Sequence, residues 1–177
     1  MRQVALLYSV VLTAERRITS ADLIAVANDA GAGPLRTVLS TGNLILNSDK
    51  APATLESALE HSLLRLLGKP IPVFVRTAAE WRALVAANPF PEATRRDPSR
   101  VAVRVLRAAP TPATLARIAA VTGPDQAFAA TDRALWLTTP EQLSTTPLSR
   151  AVGAGWAGEG TLRNASALAK IMAALDD

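Results

Sequence analysis

The stretch LRTVLSTGNLILNS, residues 35–48, decides how the rest of the chain is read. Two apolar runs, 36–39 and 44–47, flank Ser40-Thr41-Gly42-Asn43. A Gly-Asn pair between apolar runs is a strong hairpin signal, because both residues accept positive φ at little cost. Upstream, residues 4–12 form an apolar run with Val4, Val10 and Val11, the pattern of a strand covered on both faces. Between the run and the hairpin lies Thr19-Ser20-Ala21-Asp22, a capping box. Leu23, Ala27 and Ala30 follow at helical spacing, and Gly31, Gly33 and Pro34 stop the helix.

Downstream, residues 49–52 open a second helix with Leu55, Leu59, Leu63, Leu66 and Leu67 on one face. Glu56, Glu60 and Arg65 fall elsewhere, on the exposed side, and Gly68 closes the helix. Residues 71–75 read as a strand, and Pro72 near its start marks an edge or an opening position. The order is β-α-β-β-α-β, the ferredoxin-like pattern. A second capping box, Thr77-Ala78-Ala79-Glu80, starts a third helix with Trp81, Leu84 and Val85 on its buried face. Asn88-Pro89-Phe90-Pro91 ends it, and polar residues 92–99 read as a connector.

Residues 100–106 alternate, with Val101, Val103 and Val105 on one face and Arg100 and Arg104 on the other, which predicts a half-buried strand with a basic outer face. Thr111-Pro112 caps a helix carrying Leu115, Ile118 and Ala119, ended by Gly123-Pro124. Residues 127–130 and 134–138 pair across Thr131-Asp132-Arg133, so the second half repeats β-α-β-β. Residues 143–152 suggest a short helix interrupted at Pro147, and 153–160 a glycine-rich loop anchored by Trp156. Asn164 caps a last helix with Leu168, Ile171, Met172 and Leu175 on one stripe. The expected fold class is α+β: two ferredoxin-like (βαββα-type) subdomains with antiparallel sheets and a C-terminal helix. The first spans residues 1–91 and the second 92–177, within one compact unit.

The 177 residues are 49% hydrophobic, enough for a sizeable core. Net charge is +4, and 16 of the 19 basic residues are Arg, the side chain suited to bidentate recognition of phosphate or carboxylate. Solvated surface arginines are the plainer reading, because +4 is modest beside dedicated nucleic-acid binders. Arg95, Arg96, Arg100, Arg104 and Arg107 form a basic run without interleaved aromatics, so only charge supports nucleic acid as a partner. No cysteine is present, which excludes disulfides and thiolate chemistry, and His61 is the single histidine, in mid-helix with a surface or packing role. Arg2 ahead of an apolar run resembles a signal peptide. Leu12 does not fit the small-x-small rule before Ala14, however, and Tyr8 and Ser9 interrupt the run, so a buried strand explains it better. No apolar run approaches the roughly 18–20 residues of a membrane span. The expectation is a cytoplasmic protein without a membrane partner.

Neither a glycine-rich phosphate loop nor a G-x-S-x-G elbow occurs. The carboxylates are scattered: Asp22 and Glu80 cap helices, and Asp125 and Asp132 sit in turns, so no acid/base couple stands out. No metal or cofactor is expected. Two polar constellations remain. In Ser40-Thr41-Gly42-Asn43, amides and hydroxyls offer anion contacts, beside the plainer reading of a good turn. In Thr161-Leu162-Arg163-Asn164, Arg163 adds a bidentate donor at a helix N-terminus, beside the plainer reading of an Asn cap and a surface Arg.

At these residues the chain resembles the bacterial family of domain-of-unknown-function 1697. The family opening A-L-L-R-G-I-N-V-G-G aligns with residues 5–14, its Q-S-G-N-V-V-F with residues 40–46, its N-P-F with Asn88-Pro89-Phe90, and its T-T-R-N-W-N-T-V with residues 161–168. The resemblance implies an α+β fold of two ferredoxin-like subdomains and carries no established activity. This chain departs from it by lacking the Arg, the Asn and all three glycines of the opening stretch, and by having Ala165 and Ser166 in place of Trp and Asn. Gly42-Asn43, Asn88-Pro89-Phe90 and Arg163-Asn164 survive. The resulting expectation is a non-enzymatic module binding an anionic, phosphate-bearing ligand in a cleft between subdomains, through Thr41, Gly42, Asn43, Arg163 and Asn164. The alternatives are an enzyme acting on a phosphorylated small molecule through a carboxylate such as Asp132 or Glu159, and a structural or dimerisation protein.

Overall fold

Six elements open the computed structural model, which describes residues 1–177: β1 (Arg2–Leu7), α1 (Ser20–Asp29), β2 (Gly33–Val38), β3 (Asn43–Asn47), α2 (Pro52–Leu67) and β4 (Val73–Thr77). The strands form an antiparallel sheet in the order β2-β3-β1-β4. The register sets Ala5, Leu7, Leu44, Leu46, Val73 and Val75 on one face, against Leu23, Val26 and Ala27 of α1 and Leu55, Leu59 and Leu63 of α2. Each leucine buried there contributes roughly 1.5–3 kcal/mol. On the opposite face Val4, Leu6, Ile45 and Phe74 are equally shut off from water, so the continuous apolar run of β1 is covered on both sides.

The first strand stops at Leu7, not at residue 12 as the apolar run suggested. Beyond it the Tyr8 N–H donates to the Pro72 carbonyl (2.9 Å), and the chain loops out before returning at Ile18, whose N–H donates to the Val10 carbonyl (2.7 Å). Val10 still packs into the core from this loop, so the apolar character serves loop packing and not strand pairing. The helix signals hold. Asp22 N–H donates to Thr19 Oγ1 (3.1 Å) and Thr19 N–H to Asp22 Oδ2 (2.9 Å), completing the capping box, and Gly68 ends α2 at φ 71°.

β4 is an edge strand, as Pro72 implied. The N–H groups of Val73, Val75 and Thr77, on alternate residues, donate to carboxylate oxygens of Glu60 (2.9 Å), Glu56 (2.8 Å) and Glu80 (2.8 Å). Glu56, expected on the exposed side of α2, is therefore buried at 5% exposure. It borders the leucine stripe and meets the sheet where the last strand would otherwise leave backbone donors unpaired.

The second set comprises α3 (Ala78–Ala86), α4 (Pro91–Arg96), β5 (Val101–Leu106), α5 (Pro112–Ala119), β6 (Ala127–Thr131), β7 (Ala134–Thr138), α6 (Pro147–Gly153), a one-turn 3-10 helix at Gly155–Ala157, β8 (Gly160–Asn164) and α7 (Ala165–Asp176). Its antiparallel sheet runs β6-β7-β5-β8, the same order as the first. Ala102, Leu106, Leu135 and Leu137 pack against Ile118 of α5 and Leu148 and Val152 of α6. Four details differ from expectation. The polar connector contains α4, with Pro91 in its first turn. Pro147 starts α6 instead of interrupting it, behind Thr146, whose Oγ1 accepts from Ser149 N–H (3.1 Å). β8 is an additional strand that completes β-α-β-β-α-β in the second half. β5 is buried throughout, because Arg104 turns its guanidinium onto the carbonyls of Gly153 and Gly158 (2.6 Å to the latter) and not to solvent.

The chain divides into two compact units, Met1–Arg82 with Lys170–Asp177, and Ala83–Ala169. The expected boundary at 91/92, with the last helix wholly in the second half, differs on both counts. In the first unit Arg2 donates to the Leu175 carbonyl (2.6 Å), Arg36 pairs with Asp177 (2.7 Å) and Arg82 with Asp176 (2.6 Å), tying the C-terminal segment to the first sheet and to α3.

Three aspartates titrate below their usual value of 3.8: Asp22 through the Thr19 N–H, Asp29 through the Ser62 hydroxyl and Arg65, and Asp97 through the Ser99 hydroxyl and N–H. A depressed folded-state pKa contributes stability that is present above the unfolded value and is lost as pH falls through the folded one. The melting temperature should therefore hold from neutrality to about pH 4 and drop below it. Asp22→Asn should make that acid limb shallower, as thermal melts across pH would show.

Candidate ligand-binding site

The hairpin turn comprises residues 39–42, with positive φ at Leu39 (60°) and Gly42 (75°). Gly42 is required twice over. Its φ is left-handed, and a Cβ there would stand 2.8 Å from Val10 Cγ1 and 2.9 Å from Leu7 Cβ. Asn43 does not use the left-handed region; it is the first residue of β3 and fully buried. Its Nδ2 donates to the Val38 carbonyl (2.8 Å) and to Thr41 Oγ1 (2.9 Å), lacing the turn to its own strand. Thr41 is exposed. Together Thr41, Gly42 and Asn43 form a braced turn in the first unit.

Arg163 and Asn164 lie in the second unit, on β8. Arg163 pairs opposite Val103 and is 8% exposed, so it is a buried and not a surface arginine. Its Nη1 donates to Thr161 Oγ1 and to the Leu162 carbonyl, both at 2.8 Å. Burial pushes its pKa down to about 10, which leaves the guanidinium charged at neutral pH. Asn164 caps α7, its Oδ1 accepting from Ala167 N–H (2.9 Å). A buried cation thus stands one residue ahead of a helix cap, where the peptide dipoles also present their positive end.

The basic run is dispersed. Arg95 pairs with Glu92, Arg100 with Asp97 (3.3 Å) and Arg107 with Glu159 (2.7 Å), while Arg104 is turned inward. Arg96 is exposed. Trp156, expected as a loop anchor, is 38% exposed and carries the Arg117 guanidinium 4.0 Å above its ring. Of the two carboxylates considered for catalysis, Glu159 is engaged by Arg107, and Asp132 occupies the β6–β7 turn at φ 44° with Arg133 3.7 Å away. No three metal-ligating side chains gather, and no helix is long and apolar enough to cross a membrane. Sequence reasoning missed the internal roles of Glu56 and Arg104. Both are charged residues flanked by apolar positions, and only the partner element shows where the charge goes.

Residues 1–136 match the family model described as protein of unknown function (DUF1697). The chain belongs to that family. Its fold is similar to that of a solved conserved bacterial protein from Streptococcus pneumoniae, with a TM-score of 0.78 at 17% sequence identity, over 99% of this chain and 98% of that one. No curated protein matches the chain. The Arg163-Asn164 segment lies beyond the matched residues, whereas the Gly42-Asn43 turn and Asn88-Pro89-Phe90 lie within them.

Proposed function

We propose that this family member is a cytoplasmic, non-enzymatic binding module for an anionic, phosphate-bearing ligand, with Arg163 as its principal anchor and Asn164 as its supporting residue, both in the second unit. We also read each βαββαβ half as ferredoxin-like. The observation that supports the binding reading is the buried guanidinium of Arg163 directly before the capped N-terminus of α7. Desolvation puts that cation at a disadvantage, and an incoming oxyanion would offset it through a charge-assisted, bidentate contact. The Thr41-Gly42-Asn43 turn belongs to the first unit and is read as a separate element, in which Asn43 already uses both amide protons within the turn.

The test is calorimetric titration of inorganic phosphate, nucleotides and sugar phosphates into the protein and into Arg163→Gln, with thermal melts to verify folding. Loss of at least a factor of ten in affinity, about 1.4 kcal/mol, is the expected result. Equal affinities in a folded variant would sink the assignment of Arg163.

A further inference from the structure

At one end of the second sheet the antiparallel order brings together the start of β5, the end of β7 and the residues leading into β6. A groove of about 520 Å³ opens there, within the range of roughly 300–1,000 Å³ usual for small-molecule sites. Its polar lining comes from Arg96, Asp97, Arg100, Asp125, Thr138 and Thr139, three separate stretches of chain. Arg163 is not part of it.

The groove is ordered before any ligand arrives. Asp97 Oδ1 accepts from the Ser99 N–H (2.9 Å) and hydroxyl (2.6 Å), which leaves Oδ2 to accept from Arg100 Nε (3.3 Å). The Thr139 N–H holds the Arg100 carbonyl (3.2 Å), so both ends of this arginine are fixed. Its Nη1 is buried without a hydrogen-bond partner, while the side chain as a whole keeps 32% of its surface exposed. Arg96, at the end of α4, is exposed and has the groove before it. Asp125, in the loop before β6, is also exposed. Two guanidinium groups and two carboxylates therefore line one groove. One carboxylate is spent on orienting Arg100, and the other remains at the wall.

We propose that this groove binds a small zwitterion, its oxyanion held by Arg96 and Arg100 and its ammonium by Asp125. Charge decides the class. A plain anion would meet Asp125, a plain cation would meet Arg96 and Arg100, and a molecule carrying both groups satisfies all three. This site is independent of the one proposed at Arg163.

The test uses O-phosphoethanolamine as the zwitterion, with inorganic phosphate and ethanolamine as its separate halves, in titrations followed by amide chemical shifts and calorimetry. O-phosphoethanolamine should bind at least ten times tighter than either half and shift the amides of Asp125, Thr138 and Thr139. Arg100→Gln, and separately Asp125→Asn, should each weaken it at least tenfold. The exposed Arg96→Gln stands in should Arg100→Gln fail to fold. Affinities are read from the amides of Asp125, Thr138 and Thr139, so phosphate bound at Arg163 does not enter them. The proposal is overturned if the zwitterion shows no saturable binding, binds no tighter than phosphate, or retains its affinity in the folded groove variants.

Discussion

Glu56→Ala should be among the most damaging single substitutions in the chain, at a cost of about 3–5 kcal/mol. A backbone donor loses its acceptor and a buried cation loses a countercharge, although Arg76 keeps its hydrogen bond to the Val75 carbonyl. The Val75 N–H, now held at 2.8 Å, would be left as a buried donor on an edge strand, and the Arg76 guanidinium would lose a carboxylate 4.0 Å away. Both side chains are almost fully buried, at 5% and 6% exposure, so water cannot step in. Glu56→Gln keeps an oxygen in place for Val75 and should recover at least half of the loss. Urea unfolding would show this as a lowered midpoint at an unchanged slope. Equal midpoints for Glu56→Ala and the parent would mean that the carboxylate does not support β4.

Gly160→Ala should be comparably severe in the second unit. A Cβ at this position would lie 2.5 Å from the Val105 carbonyl oxygen, 2.8 Å from Leu106 Cδ2 and 3.0 Å from Arg104 Nε. The first of these is backbone, which no rotamer change relieves, so β8 must shift away from β5. Overpacking of this kind costs about 3 kcal/mol, or a fall of about 10 °C in melting temperature for a chain of this size. Gly153→Ala is the control. Nothing stands within 4 Å of its added Cβ, and no left-handed φ is needed there, so that substitution should be neutral or slightly stabilising. A drop for both variants would point to a general intolerance of alanine in the 153–160 loop.

Local signals were legible where the chemistry is local. The Thr19–Asp22 and Thr77–Glu80 boxes and the Gly68 stop each depend on residues a few positions apart and stand where the sequence puts them, while the hairpin turn at Gly42 sits one residue earlier, at 39–42 in place of 40–43. β8 was not legible, because Gly160-Thr161-Leu162-Arg163-Asn164 lacks alternation and becomes a strand only by pairing with β5, far back in the chain. α4 carries no apolar stripe, and its one clear signal, Pro91, serves equally well as the end of α3. The apolar run of residues 4–12 misled for the opposite reason: packing demands the same side chains from a strand as from a loop that dips into the core.

The candidate sites divide along the same line. Asn43 and Asn164 were visible as motif residues, and each proves to hold its own turn or helix end together. Arg163 was visible as a charge but not as a buried one, since burial depends on what the strand faces. The zwitterion groove has no sequence signature at all. Arg100, Asp125 and Thr139 belong to three segments, and only the strand order makes them neighbours.

The division of the chain also has a consequence for biosynthesis. The first unit includes Lys170–Asp177, so residues from both ends of the sequence are needed to complete it. During synthesis every residue of the second unit leaves the ribosome before Leu175, Asp176 and Asp177 can reach Arg2, Arg82 and Arg36. The half made first is therefore the half finished last, and a chain truncated after residue 169 contains every residue of the second unit but lacks the final helix turns of the first.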